Sequence, residues 1–108
     1  MDVDAVVRRY YDALDTHAYD ALESVLAPDF VQRRPDRTFE SRASFVEFMR
    51  DSRPQTDTRH ELREVITDEN RVVVCGRLRD AEGDELFAFA DVFELEDGRI
   101  AGLETYTR

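Results

Sequence analysis

The feature that most constrains this chain is an apolar segment, residues 85–95, that carries one carboxylate in its centre. Alternate side chains of a β-strand point to opposite faces. One face of the predicted strand carries Phe87, Phe89, Asp91, Phe93 and Leu95, and the other carries Leu86, Ala88, Ala90 and Val92. Because both faces are apolar, the pattern is typical of a strand that is covered on both sides.

Asp91 stands in the middle of the bulkier face of this strand. An ionised carboxylate is costly to bury alone, so Asp91 must be hydrogen-bonded, paired with a cation, protonated or in contact with a cavity. Two interpretations follow. In the first, Asp91 is a structural residue that hydroxyl groups or an arginine satisfy. In the second, it is the acid of a ligand pocket.

Composition restricts the partners and the environment of the protein. With 108 residues, a single domain over 1–108 is expected. The chain has 25 acidic and 15 basic residues and a net charge of −10, which argues against a nucleic-acid partner. All the basic residues are arginine. An acidic protein without lysine is typical of a high-salt (halophilic) cytoplasm, where salt screens the repulsion between like charges.

Cysteine and histidine usage predicts neither a disulfide nor a metal site. The single cysteine, Cys75, fits a reducing compartment, and His17 and His60 lie far apart. His60 is surrounded by polar residues, which favours a surface or rim position. We find no phosphate-binding loop and expect no cofactor. No apolar run approaches membrane-spanning length, so we expect a cytoplasmic protein without a membrane partner.

Helical periodicity dominates the first half of the chain. An apolar stripe predicts a helix over 2–15, with Tyr10 on the buried side and Tyr11 roughly 100° around the helix from it. A second helix is predicted over 19–26, ended by Pro28. A third helix begins after the cap Ser41, runs to about residue 51 and is closed by Pro54.

Strand patterns dominate the second half. Short strands are predicted at 30–33 and 38–40, and longer strands at 58–67, 71–79, 85–95 and 99–107. The strongest hairpin signal is Asp97-Gly98. Three helices followed by an antiparallel meander predict an α+β domain with its helices on one face of the sheet.

Three parts of the chain resemble the nuclear transport factor 2-like superfamily, a group that includes ketosteroid isomerases and SnoaL-like polyketide cyclases. They are residues 7–14 (VRRYYDAL), residues 19–22 with 26–30 (YDAL and LAPDF), and residues 89–93 with 97–100 (FADVF and DGRI). The resemblance implies a cone-shaped fold, in which three helices pack on a curved, mainly antiparallel sheet around a pocket. It also implies a homodimer formed through the outer sheet face.

The resemblance further implies roles for individual residues. In ketosteroid isomerases a first-helix tyrosine and a protonated aspartic acid form an oxyanion hole, and the matching residues are Tyr10 and Asp91. The carboxylate base of those enzymes precedes a proline, where this chain has Arg34 before Pro35. An arginine cannot accept a proton, so steroid-type proton shuttling is not expected. The SnoaL-like cyclases rely on one acid/base aspartate, and Asp91 matches that role.

The expected pocket lining is Phe30, Arg34, Phe48, Cys75, Arg77, Phe89 and Leu103. Arg34 either belongs to a solvated basic loop or attracts an anionic ligand group at the pocket mouth. Asp91 is either kept ionised by Arg77, or it is neutral and hydrogen-bonded to Tyr10 because desolvation favours the protonated acid.

Two functions fit these residues. The first is a pocket protein for a small, carbonyl-containing molecule. Its enzymatic form is a lyase or isomerase with Asp91 as acid/base and Tyr10 as oxyanion or carbonyl stabiliser. The second is a non-catalytic ligand-binding or dimeric scaffold domain that retains a vestigial pocket.

Overall fold

The computed structural model describes residues 2–53 and 55–108. In chain order its elements are α1 (Val3–Asp15), α2 (Tyr19–Val25), β1 (Leu26–Arg33), β2 (Thr38–Phe39), α3 (Arg42–Asp51), β3 (Arg59–Asp68), β4 (Arg71–Arg79), β5 (Glu85–Glu96) and β6 (Arg99–Thr107). The strands form one six-stranded sheet in the order β2-β1-β6-β5-β4-β3. The α+β architecture, with three helices and a mainly antiparallel sheet, is confirmed.

The sheet joins the two halves of the chain through one parallel pair. Strands β3 to β6 pair in chain order and antiparallel, because short turns connect them. In the last turn, Asp97 and Gly98 have φ angles of 51° and 77°, as a two-residue hairpin turn requires. Strand β1 comes from the first half of the chain and pairs in parallel with β6.

Helix α1 buries a wider face than the predicted stripe. Its N-terminus is capped by Asp2, whose side chain accepts from the backbone N–H of Asp4 at 3.0 Å. The buried residues are Val6, Val7, Tyr10, Tyr11, Ala13 and Leu14. Neighbouring residues are about 100° apart around a helix, so a face that holds both Tyr10 and Tyr11 is broad. This helix packs against α2, β3 and β4.

Two proline-based boundaries were predicted in the first half. Helix α2 ends at Val25, and Pro28 lies inside β1 instead of ending the helix. The β1–β6 pairing is irregular there, because it passes from Leu26↔Ile100 directly to Val31↔Gly102. A proline, which has no N–H, is tolerated at such an irregularity. Helix α3 follows its Ser41 cap, as expected, and Pro54 lies outside the described residues.

The central strands have an inner face, which packs against the helices, and an outer face. On β5 the inner face carries Phe89, Asp91, Phe93 and Leu95, all buried. Residues paired across antiparallel strands share a face. The inner face therefore continues on β4 as Val72, Val74 and Gly76, and the outer face carries Val73 beside Val92 and Cys75 beside Ala90. In the single chain these outer residues are only half-buried.

Within residues 2–53 and 55–108, no helix combines the length and the apolar character that crossing a lipid bilayer requires.

Candidate functional site

A cavity of about 280 Å³ lies between the inner sheet face and helices α1 and α3. Its polar base is formed by Tyr10, Gln32, Asp91 and Thr105. Leu86 and Phe87 also line it and are 39% and 37% exposed, so the cavity opens to solvent beside them. Its volume is just below the usual range for ligand pockets, roughly 300–1,000 Å³, so it suits only a small ligand.

Asp91 is the buried carboxylate of this cavity, with 5% of its surface exposed. Its Oδ2 accepts a hydrogen bond from the Tyr11 hydroxyl at 2.5 Å, and its Oδ1 accepts one from Thr105 Oγ1 at 2.6 Å. The Thr105 hydroxyl in turn accepts from Gln32 Nε2 at 2.9 Å. The structure thus has one feature of each interpretation, because hydroxyl groups satisfy the oxygens of Asp91 and Asp91 also lines a cavity.

The surroundings of Asp91 change its acidity. Burial raises the pKa of the carboxyl group, whereas the hydrogen bonds from Thr105 and Tyr11 and the charges of His60 and Arg34 lower it. Burial dominates, so the pKa stays above its ordinary value. A pocket carboxyl group with a raised pKa is a candidate acid/base.

Tyr11, and not Tyr10, makes the hydrogen bond to Asp91. This corrects the predicted pairing, which assumed that only Tyr10 was buried. Tyr10 packs edge-on against Phe93, with ring centroids 5.3 Å apart, and lines the cavity. Within the described residues its hydroxyl makes no hydrogen bond. Burial, followed by the negative charge of Asp91, raises the pKa of both tyrosines, so both hydroxyls stay protonated and can donate.

Three predicted lining residues besides Tyr10 and Asp91 do line the cavity, namely Arg34, Phe48 and Phe89. Phe30 and Leu103 do not. They are 0% and 2% exposed and belong to the close-packed core. The ring of Phe30 lies against Phe45, with centroids 5.1 Å apart. The lining prediction is corrected for these two residues. Their apolar side chains do face inward, but they pack in the core and not at the cavity wall.

Cys75 and Arg77 lie on the outer sheet face, away from Asp91. In the β4–β5 register Val74 is opposite Asp91 and therefore faces inward. Cys75 is the next residue and Arg77 follows two positions later, so both side chains point to the outer face. The Arg77 Nε atom is 2.9 Å from a carboxylate oxygen of Glu85. The prediction that both residues line the pocket is therefore corrected, and Arg77 does not pair with Asp91.

Two arginines add positive charge to the cavity. Arg34 is 28% exposed at its side chain, and its Nε lies 3.2 Å from Asp36 Oδ1. It belongs to the loop between β1 and β2 and also lines the cavity, so the two alternatives for this residue are compatible. Arg53 was not singled out from the sequence. Its guanidinium donates to the backbone oxygen of Leu14 at 3.1 Å.

One residue that lines the cavity, His60, belongs to a carboxylate–imidazole pair that sequence reasoning missed. His60 Nδ1 lies 2.6 Å from Asp15 Oδ1, and the His60 backbone N–H donates to the same carboxylate at 3.1 and 3.2 Å. The His60 side chain is only 15% exposed, and His60 lines the cavity. The two residues are 45 positions apart and β3 alternates only loosely, so no local pattern connects them.

Metal-binding geometry is absent from the part of the chain that the structure describes, since no three His, Cys, Asp or Glu side chains are grouped to hold an ion.

Structure comparison finds the same fold in proteins of low sequence identity. A nuclear transport factor 2-like protein of unknown function from Cytophaga hutchinsonii ATCC 33406 matches with a TM-score of 0.86 and 18% identity, over 100% of this chain and 91% of that one. A proposed ketosteroid isomerase from Kribbella flavida DSM 17836 matches with a TM-score of 0.86 and 21% identity, over 98% and 77%. A proposed polyketide cyclase from Sinorhizobium meliloti matches with a TM-score of 0.82 and 22% identity, over 98% and 100%.

Sequence comparison identifies the family. None of the curated protein sequences matches this chain significantly. The model of the SnoaL-like domain matches residues 7–103, which include most of α1 and the whole of the penultimate strand with Asp91. The chain therefore belongs to the SnoaL-like domain family, as its sequence motifs predicted.

Proposed function

We propose that this protein binds a small carbonyl compound in the cavity and that Asp91 exchanges a proton with it as acid/base. One observation carries the proposal. The Asp91 carboxyl group is fixed by two hydroxyl donors, at 2.5 and 2.6 Å, in the lining of a cavity that opens to solvent. Its raised pKa brings proton exchange closer to neutral pH than an ordinary aspartate allows.

The two tyrosines have different roles in this proposal. Tyr11 orients Asp91 through its hydrogen bond. Tyr10 lines the cavity with a protonated hydroxyl that has no partner in the described residues. A buried donor held in position stabilises negative charge that develops on a carbonyl oxygen. Tyr10 is thus the proposed carbonyl or enolate stabiliser, and the chemistry is of the lyase or isomerase type.

The similar structures support this reaction class. Two of them are named for ketosteroid isomerisation and polyketide cyclisation, which both act on carbonyl compounds. Their identity to this chain is 21% and 22%, so the shared property is the fold. The argument for chemistry in this chain rests on Asp91 and its partners.

The test uses 2-tetralone, a small aromatic ketone, as a probe of the cavity. We expect the parent protein to bind it and Asp91→Asn to keep the fold but lose most of the affinity, because an amide donates a weaker hydrogen bond to a ketone oxygen than a carboxylic acid does. Asp12→Asn makes the same change at an exposed position of α1 and should bind like the parent. Equal binding by Asp91→Asn and the parent, measured by calorimetry, would contradict the proposal.

The hydrogen bonds of the Asp91 carboxyl group also favour a second candidate function, a domain without catalytic activity. Both Asp91 oxygens already accept a hydrogen bond from the protein, as a purely structural carboxylate would. A non-catalytic binding or scaffold domain would then retain the cavity without the reaction. In that case Asp91→Asn should bind the ketone like the parent protein and differ only in stability.

We also propose that the protein forms a homodimer through the outer sheet face. This face carries half-buried Val73 and Val92, and Ile66 and Tyr106 are 55% and 54% exposed. Ile66 lies opposite Val73, and Tyr106 lies opposite Ala90, so the apolar surface is continuous across strands. An apolar surface of this kind is typical of an interaction site.

The acidic composition supports a proposal about the environment, a cytoplasm of high salt concentration. A net charge of −10 without any lysine produces strong repulsion within the folded chain at low ionic strength. Dilution from molar to physiological salt should therefore lower the melting temperature, because the Debye length increases from about 3 to about 8 Å. A melting temperature that is insensitive to salt would contradict this.

A further inference from the structure

His60 lines the same cavity as Asp91 but is outside the hydrogen-bond network of Asp91, and its imidazole is paired with Asp15. We propose that His60 is a second proton-transfer residue, the base that removes a proton from a carbon atom of the ligand, and that Asp15 positions it. This inference rests on the proposed carbonyl-binding function and narrows the ligand to carbonyl compounds with an acidic C–H bond next to the carbonyl group.

The contacts of His60 define which ring nitrogen is available. An ionised carboxylate only accepts hydrogen bonds, so the Nδ1 atom, 2.6 Å from Asp15, must carry the hydrogen. A neutral imidazole then has a lone pair on Nε2. This atom makes no hydrogen bond within residues 2–53 and 55–108. Asp15 holds His60 in place through two groups, because the His60 backbone N–H donates to the same carboxylate that Nδ1 contacts.

Aromatic neighbours place the imidazole beside the Asp91 site. The His60 ring centroid is 5.1 Å from that of Tyr11, the hydroxyl donor to Asp91. It is also 5.6 Å from the ring of Phe89, which lines the cavity. Tyr11 thus contacts both polar groups, and a ligand held at Asp91 lies against the wall that contains His60.

Two such groups complete an enolisation without any co-reactant. Nε2 of His60 takes the proton from the carbon next to the carbonyl group, and the electron pair of that C–H bond forms a C=C bond. The carbonyl π electrons move to oxygen, which takes the proton of neutral Asp91. The imidazolium that forms is stabilised by the Asp15 carboxylate. The imidazolium exchanges its proton with solvent and returns one to the same carbon, while the enol oxygen returns its proton to Asp91, so the carbon has exchanged its hydrogen. In a ligand whose enol is conjugated with a C=C bond, return of the proton to the far carbon of that bond gives an isomer.

The alternative is a purely structural role, in which the hydrogen bonds between Asp15 and His60 only connect the end of α1 to the start of β3. Two substitutions separate these roles. In His60→Asn the amide NH₂ takes the place of Nδ1, which keeps the bond to Asp15 but removes Nε2. In His60→Gln the amide nitrogen takes the place of Nε2, which removes the bond to Asp15. A structural role predicts damage from His60→Gln alone.

The experiment measures exchange of the acidic hydrogens of 2-tetralone in D₂O by proton NMR. We expect the exchange catalysed by the parent protein to fall by about 10²-fold or more in His60→Asn, because general bases contribute about 10²–10⁴-fold. Binding of the ketone and the melting temperature should stay at the parent values. The control is His17→Asn, the same replacement at a turn residue with φ +60°, a conformation that asparagine tolerates.

Each outcome has a defined meaning. If His60→Asn exchanges the ketone as fast as the parent, the inference is wrong and the Asp91 pocket proposal stands. If a parent protein that binds the ketone exchanges nothing, the inference is wrong and the acid/base role proposed for Asp91 fails with it, so only ketone binding in the cavity is left. If the parent does not bind the ketone, the proposed function itself fails. Asp15→Asn tests the positioning role, and we expect it to lower kcat for exchange while KM stays unchanged.

Discussion

The two faces of β5 are built from similar amounts of apolar sequence but have opposite relations to the rest of the molecule. The inner face packs Phe89 and Phe93 against α1 and contains Asp91. The outer face carries the smaller residues Ala90 and Val92, which one chain covers only in part. Alternation shows which residues share a face. Whether a face meets helices or solvent is decided by the packing of distant parts of the chain.

The largest difference between the two faces is expected in the free energy of unfolding, when two adjacent residues of β5 that face opposite sides are each replaced by alanine. Phe93 is 0% exposed and contacts Tyr10 and Tyr11, so Phe93→Ala should lower the free energy of unfolding by about 3–5 kcal/mol. Val92→Ala, one position along the strand, should cost about 1 kcal/mol or less in the monomer. Urea denaturation measures both, and equal losses would contradict the assignment of the faces.

A glycine on the inner face provides the next comparison. A Cβ atom at Gly76 would overlap the backbone oxygen of Glu61 and lie 2.9 Å from the Phe89 ring. Gly76→Ala should therefore lower the free energy of unfolding by about 1–3 kcal/mol. Gly102→Ala is the matched control, because its Cβ would be 3.8 Å from Glu94, an ordinary contact. Similar free energies of unfolding for the two variants would contradict the idea that the packing around Gly76 leaves no space for a side chain.

The charge of Asp91 makes the inner face sensitive to pH. Burial raises the folded-state pKa of Asp91 above the unfolded value of about 3.9. Between these two pKa values the folded protein binds more protons than the unfolded chain, so this contribution to stability is lost as pH rises. Asp91→Asn has no such loss. The melting temperature of Asp91→Asn minus that of the parent, measured by calorimetry, should therefore rise as pH increases. A difference that falls as pH increases would contradict the pKa direction.

The smallest effect on the fold is expected from an outer-face substitution. Ile66 is 55% exposed, so Ile66→Arg should change the free energy of unfolding of the monomer by no more than about 0.5 kcal/mol. The same change should weaken the proposed homodimer, because it introduces a charge into an apolar contact. Light scattering of the parent and the variant measures this. A parent protein that is already monomeric would contradict the outer-face proposal.

The fold was predictable because its local signals agree with one another. The apolar alternation of β5 and the Asp97-Gly98 turn placed the last strands, and the Ser41 cap placed α3. Pro28 was misassigned, since its place at an irregularity of β1 depends on pairing with β6. Long-range pairing of this kind leaves no local trace in a sequence.

The site was predictable at Asp91 but not in its partners. The adjacent pairs Val6-Val7, Tyr10-Tyr11 and Ala13-Leu14 would have indicated a wide buried face on α1, and with it the role of Tyr11. Alternation grouped Cys75 with Arg77, but only the β4–β5 register shows that they face away from Asp91. His60 meets Asp15 across 45 positions through tertiary packing alone.

The parallel pairing of β1 with β6 has a consequence for the synthesis of the chain. The ribosome makes β1 early, but its parallel neighbour β6 is the last of the six strands to be made. The bond from Gln32 to Thr105, which supports Asp91, spans 73 positions. Such non-local contacts form late and slow folding. A nascent chain therefore exposes the edge of β1 that pairs with β6 until β6 has been made, and the polar base of the cavity is assembled only after that.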